Sequence, residues 1–211
     1  MNRWANKYFY QAIFPLIAIL ISTNAHAMFE LSGEFGYKTQ AYGSSRENDM
    51  TERTYSGSLA MYLFETTALE VNYSYSDSIT DEHQTIPVTG TTVNIIGVVN
   101  TVESEVFGLG IRQLFSSRKS VLRPMMSLGY AKQYVVDYTD ITIQDSSGVS
   151  SLLRTSQSRS KSDSVFASFS LELRLLKHMA LRGSVQTVFP AFEFDKMKDY
   201  QKYTAGFTWI F

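Results

Sequence analysis

Cysteine is absent from the 211 residues. That excludes disulfides and any thiolate metal site. Proline is scarce, with four in the chain, and positive charge is not in excess: 19 Lys plus Arg stand against 20 Asp plus Glu. A nucleic-acid-binding chain is normally basic, so that class is set aside. Long apolar runs are also missing. The run at the start, Ala12 to Ile21, is ten residues long, well short of the roughly 20 a spanning helix needs.

That short run has its own meaning. Arg3 and Lys7 precede it, and the small, polar stretch Ser22 to Ala27 follows, with Ala25 and Ala27 as an A-x-A cleavage pair. Basic, apolar and small segments in this order read as a secretory signal peptide. The expected division is therefore 1–27 as a cleaved signal and 28–211 as one domain, exported through the general secretory pathway. Losing Arg3 and Lys7, and no acids, takes the formal charge from −1 to −3.

What fills the rest is alternation with period two. Phe29, Leu31, Phe35, Tyr37 and Ala41 oppose Glu30, Ser32, Glu34, Lys38 and Gln40. The same pattern recurs near 54–64, 68–76, 104–114, 121–136, 164–175, 181–189 and 201–211. The sixth segment is the most regular: Val165, Ala167, Phe169, Leu171, Leu173 and Leu175 alternate with Phe166, Ser168, Ser170, Glu172 and Arg174. Such segments are strands with one apolar and one polar face. The count is eight. Links near 65–67, 116–120 and 176–179 are short, while those near 43–52, 77–101, 137–163 and 190–200 are long and mostly polar.

Alternation alone fits both a soluble barrel with an apolar interior and a membrane barrel with an apolar exterior. Three features favour the membrane. Four acids and five bases lie on the polar faces: Glu30, Glu34, Lys38, Glu70, Arg112, Arg123, Glu172, Arg174 and Arg182. A polar interior would pair them. Aromatic residues make up 14% of the chain and gather near strand ends, as interfacial girdles do. The chain ends on YTAGFTWIF, with a polar residue, a glycine and two aromatics at Thr204, Gly206, Trp209 and Phe211.

That ending resembles the β-signal of bacterial outer-membrane proteins. The mature chain as a whole resembles the small eight-stranded outer-membrane barrels, the group containing the outer-membrane protein A barrel domain and proteins X and W. The resemblance implies an all-β fold, an eight-stranded antiparallel transmembrane up-and-down β-barrel with short periplasmic turns and long extracellular loops. It implies location in the bacterial outer membrane. It also implies a monomer, in contact with outer-membrane lipid and lipopolysaccharide, whose terminal strand is read by the barrel-assembly machinery.

No chemistry stands out beside it. Of three histidines, His26 leaves with the signal, His83 falls in a long polar loop and His178 in a short turn. His83-Gln84-Thr85 and His178-Met179-Ala180 lack the His-x-Ser pattern of the lipid A deacylases, and no nucleophile–His–acid set is placed. Asp77, Asp81 and Glu82 do not match a calcium-loop spacing. No catalytic residue, metal site or cofactor is expected. The leading expectation is a structural or surface-interaction barrel whose interior is plugged by Glu30, Glu34, Glu70, Arg112, Arg123, Glu172, Arg174 and Arg182. The alternative is binding or transport of a small hydrophobic molecule through a lateral opening. Val93, Ile95, Ile96, Val98, Val99, Leu152 and Leu153 make the long loops apolar enough to form a lid or to extend the strands as a protruding sheet. A lipid-modifying enzyme ranks behind both.

Overall fold

A computed structural model describes residues 28–42, 48–82, 86–88, 90, 93–190 and 200–211. The proposed signal segment, with Ala25 and Ala27, lies outside these residues, as does His83. Among the described residues there is no helix and no cis peptide bond.

Ten strands are present: β1 (Phe29–Tyr42), β2 (Asn48–Tyr62), β3 (Thr67–Glu82), β4 (Ile86–Pro87), β5 (Asn94–Leu114), β6 (Leu122–Gln144), β7 (Ser150–Ser156), β8 (Ser160–Leu176), β9 (Met179–Pro190) and β10 (Gln201–Ile210). Every pairing is antiparallel. Eight strands close on themselves in the order β5-β3-β2-β1-β10-β9-β8-β6, with β6 returning to β5. The two extra strands, β4 and β7, sit outside the closed ring. They pair with the far ends of β5 and β6.

Closure is why this sequence needs no cysteine. In hydrocarbon each unpaired backbone group costs several kcal/mol, and a closed ring leaves no wall strand unpaired. The stagger follows from the register. From Phe29 the pairs run through Met61, Leu69, Ile111, Leu128, Ala167, Thr187 and Gln201. Carried on at the same offset, the β1–β10 register returns to the level of Thr39, ten residues above the start. A stagger of this size tilts the strands by ~35–45°.

The faces are inverted relative to a soluble protein. Leu31, Phe35, Leu59, Leu109, Leu128, Phe169, Leu171 and Phe207 are exposed on the outer wall, while Glu30, Arg112, Arg123 and Glu172 are fully buried inside. On the outer wall Tyr73 and Phe107 lie 4.8 Å apart and Phe107 meets Tyr134 edge-on at 6.4 Å. The three prolines of the described strands sit at or near strand ends, where a missing ladder donor matters least: Pro87 closes β4, Pro190 closes β9, and Pro124 is the third residue of β6.

The connections between β2 and β3, β5 and β6, and β8 and β9 are short and share one end of the barrel with both ends of the domain. At the other end β5 and β6 run on together to Asn94 and Gln144, well past the Tyr73–Phe107–Tyr134 cluster. There β6 turns back into β7 through Asp145–Val149. The Asp145 carboxylate accepts from the Ser147 and Val149 backbone N–H at 2.8 and 3.0 Å and from the Ser147 hydroxyl at 2.6 Å. Gly148 takes φ of 82°, a value favouring glycine. The apolar residues Ile95, Ile96, Val98, Val99, Leu152 and Leu153 are thus strand residues of a protruding sheet rather than a loop.

Candidate functional site: the charged lumen and its outer vestibule

Each interior charge is placed by strand alternation, because inward positions recur every second residue. Together they form a chain in which acids and bases alternate. Glu70 pairs with Arg112 at 2.9 Å and Arg112 with Glu30 at 3.4 Å. Glu30 pairs with Arg123 at 2.8 Å, and Arg123 with Glu172. Glu172 lies 4.0 Å from Arg182, which pairs with Glu34 at 3.0 Å. None of the seven side chains is more than 8% exposed.

Hydroxyl groups complete the set. Tyr62 donates to Glu30 at 3.0 Å, Ser127 to Glu70 at 2.5 Å, Thr208 to Glu172 at 2.6 Å and Thr204 to Glu34 at 2.6 Å. Arg112 donates to Ser58 at 2.8 Å, and Arg182 to Ser170 at 2.9 Å and Ser32 at 3.2 Å. The seven charges come from β1, β3, β5, β6, β8 and β9, and the hydroxyls add β2 and β10, so all eight wall strands meet in one network. Buried charges persist only when paired and hydrogen-bonded in this way.

Arg174 is not among them. It sits two residues nearer the short-turn end than Glu172, and its guanidinium donates to the carbonyls of Arg118 and Lys177, at 3.0 Å each. It fastens two turns together instead of joining the lumen chain. His178 also serves a turn, its ring nitrogen 2.9 Å from the Ile210 carbonyl. The four terminal positions divide by face. Thr204 and Gly206 point inward, and a Cβ on Gly206 would collide with the Gly33 carbonyl. Trp209 and Phe211 face outward and are exposed.

Above the network the lumen narrows. A space of about 30 Å³ remains among Glu34, Glu70, Arg182 and Phe166, room for a water or two. Phe166 is nearly buried there because Gly110 and Gly129 face it. These glycines are register partners, and a Cβ on Gly129 would stand 2.5 Å from the Phe166 ring. Nothing in the sequence pattern marked Phe166, which occupies a polar-face position. The paired glycines were the available signal.

Beyond Phe166 the lumen opens to a vestibule of about 440 Å³. One wall, from β5, β6 and β9, carries Val102, Val106, Val135 and Val188. The facing wall carries Lys38, Glu52 and Lys202. Lys202 pairs with Glu52 at 2.8 Å and donates to Ser76 at 2.7 Å.

Two arginines of the outer surface are also partnered. Arg154 holds both oxygens of Asp140 at 2.6 Å and keeps its carboxyl below the usual carboxylate range. Arg159 pairs with Glu105 and stacks on the Tyr134 ring at 4.4 Å. Among the described residues no cluster of His, Asp and Glu is arranged to hold a metal ion.

A closed antiparallel ring of eight strands, with an apolar exterior and a charged interior, is the fold of the small outer-membrane β-barrels. Comparison with solved structures agrees. The chain is similar to the outer membrane protein OprG from Pseudomonas aeruginosa, with a TM-score of 0.51 and 13% identity over 88% of this chain and 96% of that one. It also matches the N-terminal β-barrel domain of OprF from the same organism, with a TM-score of 0.48 and 16% identity over 87% and 97%. A third match is Ail, the attachment invasion locus protein of Yersinia pestis, with a TM-score of 0.44 and 7% identity over 88% and 97%. No protein-family model and no curated protein matches the sequence.

Proposed function

We propose that this outer-membrane barrel has a structural and surface-interaction role rather than that of an open pore. The observation carrying the reading is the alternating chain Glu70–Arg112–Glu30–Arg123–Glu172–Arg182–Glu34, which crosses the lumen and, with its hydroxyl partners on β2 and β10, ties in every wall strand. With the lumen filled, the surface offered to partners is the protruding sheet of β5, β6 and β7. In this reading residues 1–27 are removed on export and the barrel-assembly machinery reads Thr204, Gly206, Trp209 and Phe211. Lipopolysaccharide meets the outer wall near Tyr134 and Arg159. The protein contributes no catalytic chemistry. The test is conductance in planar bilayers together with the gel shift on boiling. A heat-modifiable barrel without porin-sized conductance steps supports the reading. Steady porin-like steps from the unmodified protein would overturn it.

A second reading rests on the vestibule. Its valine wall faces a lysine-bearing wall, a division suited to a small amphipathic carboxylate. Tyr200 lies in the vestibule lining and is the local reporter, whereas Trp209 faces outward near the end of β10. In a Trp209→Phe background, Tyr200→Trp fluorescence should be quenched saturably by a short-chain fatty acid. Quenching that rises linearly without saturation would exclude a vestibule site.

A further inference from the structure

Above the membrane, β7 is an edge. Its seven residues, Ser150-Ser-Leu-Leu-Arg-Thr-Ser156, are all exposed, and among the described residues it pairs with β6 alone. The strand carries no proline, lysine or bulge, and its one charge, Arg154, is paired with Asp140.

The backbone parity is fixed at both ends of the hairpin. Asp145 N–H donates to the Val149 carbonyl at 3.1 Å, and Gln157 N–H to the Asp137 carbonyl at 2.9 Å. In an antiparallel ladder hydrogen-bonded pairs alternate with non-bonded ones. The odd residues of β7 therefore bond to β6, while Ser150, Leu152, Arg154 and Ser156 turn their N–H and C=O outward.

These four outward residues match a reversed copy of themselves. A two-fold through Leu153 sets Ser150 against Ser156 and Leu152 against Arg154, all with outward-facing backbone groups. It sets Ser151 against Thr155 and Leu153 against its own copy in non-bonded positions. Hydroxyl residues meet hydroxyl residues, leucine meets leucine, and the arginine stem covers leucine, combinations that stabilise cross-strand pairs. Arg154 brings no unbalanced charge, because Asp140 holds it.

We propose that β7 pairs with β7 of a second copy of this chain, and that the two copies stand in facing membranes. The second part follows from symmetry. The two-fold relating adjacent antiparallel strands is perpendicular to their sheet. Since β6 continues unbroken from the barrel wall into this sheet, the axis lies near the membrane plane, and the second barrel is inverted. The contact is thus homophilic adhesion between two cells. This rests on the surface-interaction reading above and names the partner.

The absence of cysteine makes the test direct. Two populations of cells lacking long surface polysaccharide express the full chain with different tags and a single introduced thiol, are mixed, and are mildly oxidised. In the proposed register Leu153 faces its copy with Cα atoms ~4.5 Å apart, within disulfide reach. Leu152 and its copy are offset by two residues and stand ~8–9 Å apart, beyond it. Leu153→Cys should give mixed-tag dimers at least about tenfold above Leu152→Cys. Adding Leu152→Pro to Leu153→Cys, which removes one outward N–H, should abolish them, with Arg154→Pro as the second such variant.

Equal yields at the two positions, insensitivity to proline, or dimers only within one population would overturn the proposal. The gel shift on boiling is read on every sample. A shifted barrel with no mixed-tag dimer sinks this inference alone, whereas a chain that never shifts sinks the surface-barrel reading beneath it.

Discussion

Glu30 and Arg123 meet at 2.8 Å across 93 residues of sequence, deep inside the lumen and without contact with solvent. The same guanidinium also reaches Glu172, so Arg123 is held between carboxylates of the first strand and of β8. Its neighbours determine what each substitution in the chain should do.

Glu172 serves Arg123, Arg182 and Thr208 at once. Glu172→Ala leaves two buried guanidinium groups short of an acid, and removing one partner of a buried pair costs about 3–5 kcal/mol. The midpoint of urea unfolding in lipid vesicles should fall accordingly. Arg174→Ala, which touches only turn carbonyls, should shift it much less. Equal losses for the two would place Arg174 in the network after all.

Gly129→Val should be strongly destabilising, since its Cβ would meet the Leu109 carbonyl as well as the Gly110 Cα and the Phe166 ring at 2.5 Å, and the backbone groups cannot turn aside. Phe166→Ala should itself destabilise. The double variant should recover only the part of the loss that comes from the space glycine and ring share, because the clash with the Leu109 carbonyl stays. Strict additivity in a double-mutant cycle would argue that ring and glycine do not share that space.

The terminal strand permits structure and recognition to be separated. Gly206→Val should fail to refold even in detergent with no assembly factors, because its Cβ meets the Gly33 carbonyl. Deleting Phe211 removes an exposed ring and the bond from its N–H to the Phe29 carbonyl at 2.9 Å. That variant should refold in detergent yet accumulate poorly in outer membranes. Normal accumulation would detach Phe211 from assembly.

Asp140 supplies a pH dependence outside the membrane. The Arg154 hydrogen bond holds its carboxyl below the usual carboxylate range. A depressed folded-state value means the pair's stabilisation of the β6–β7 hairpin is complete above the unfolded value of about 3.9. It is lost as pH falls from there through the depressed value. Hydrogen exchange at β7, corrected for intrinsic rates, should therefore quicken over that acidic window and stay level between pH 5 and 8. Asp140→Asn should flatten the acidic change, and an unaltered profile in that variant would remove the pair as its cause.

Much of the wall was legible because lipid on one side and a polar lumen on the other impose strict alternation. Leu171 and Glu172 needed no structure to be assigned to opposite faces. The outer halves of the long strands were less legible. Asp77–Glu82, Asn94–Thr101 and Asp137–Gln144 extend past the Tyr73–Phe107–Tyr134 cluster, where the surroundings no longer enforce the contrast. These residues fell in the long links, where the apolar Ile95–Val99 and Leu152–Leu153 read either as a lid or as strand extensions, and β4 and β7 went uncounted. The lumen charges could be gathered from their phase but not paired. Which acid meets which base depends on the ten-residue stagger, and one step along the strand removes Arg174 from reach. Phe166 was hidden for a related reason, since a lone aromatic on a polar face announces its place only through glycines on strands far away in sequence.

The order in which the lumen charges are made also bears on how the barrel is built. Glu30 leaves the ribosome long before its partners, Arg112 lying 82 residues later and Arg123 93. Glu34 waits longer still, for Arg182 on β9. Glu34 gains its guanidinium partner only when β9 joins the wall, and Arg123 its second carboxylate only with β8. A chain cut short before β9 would leave Glu34 without Arg182. The lumen network is therefore complete only in a polypeptide that reaches its last strands.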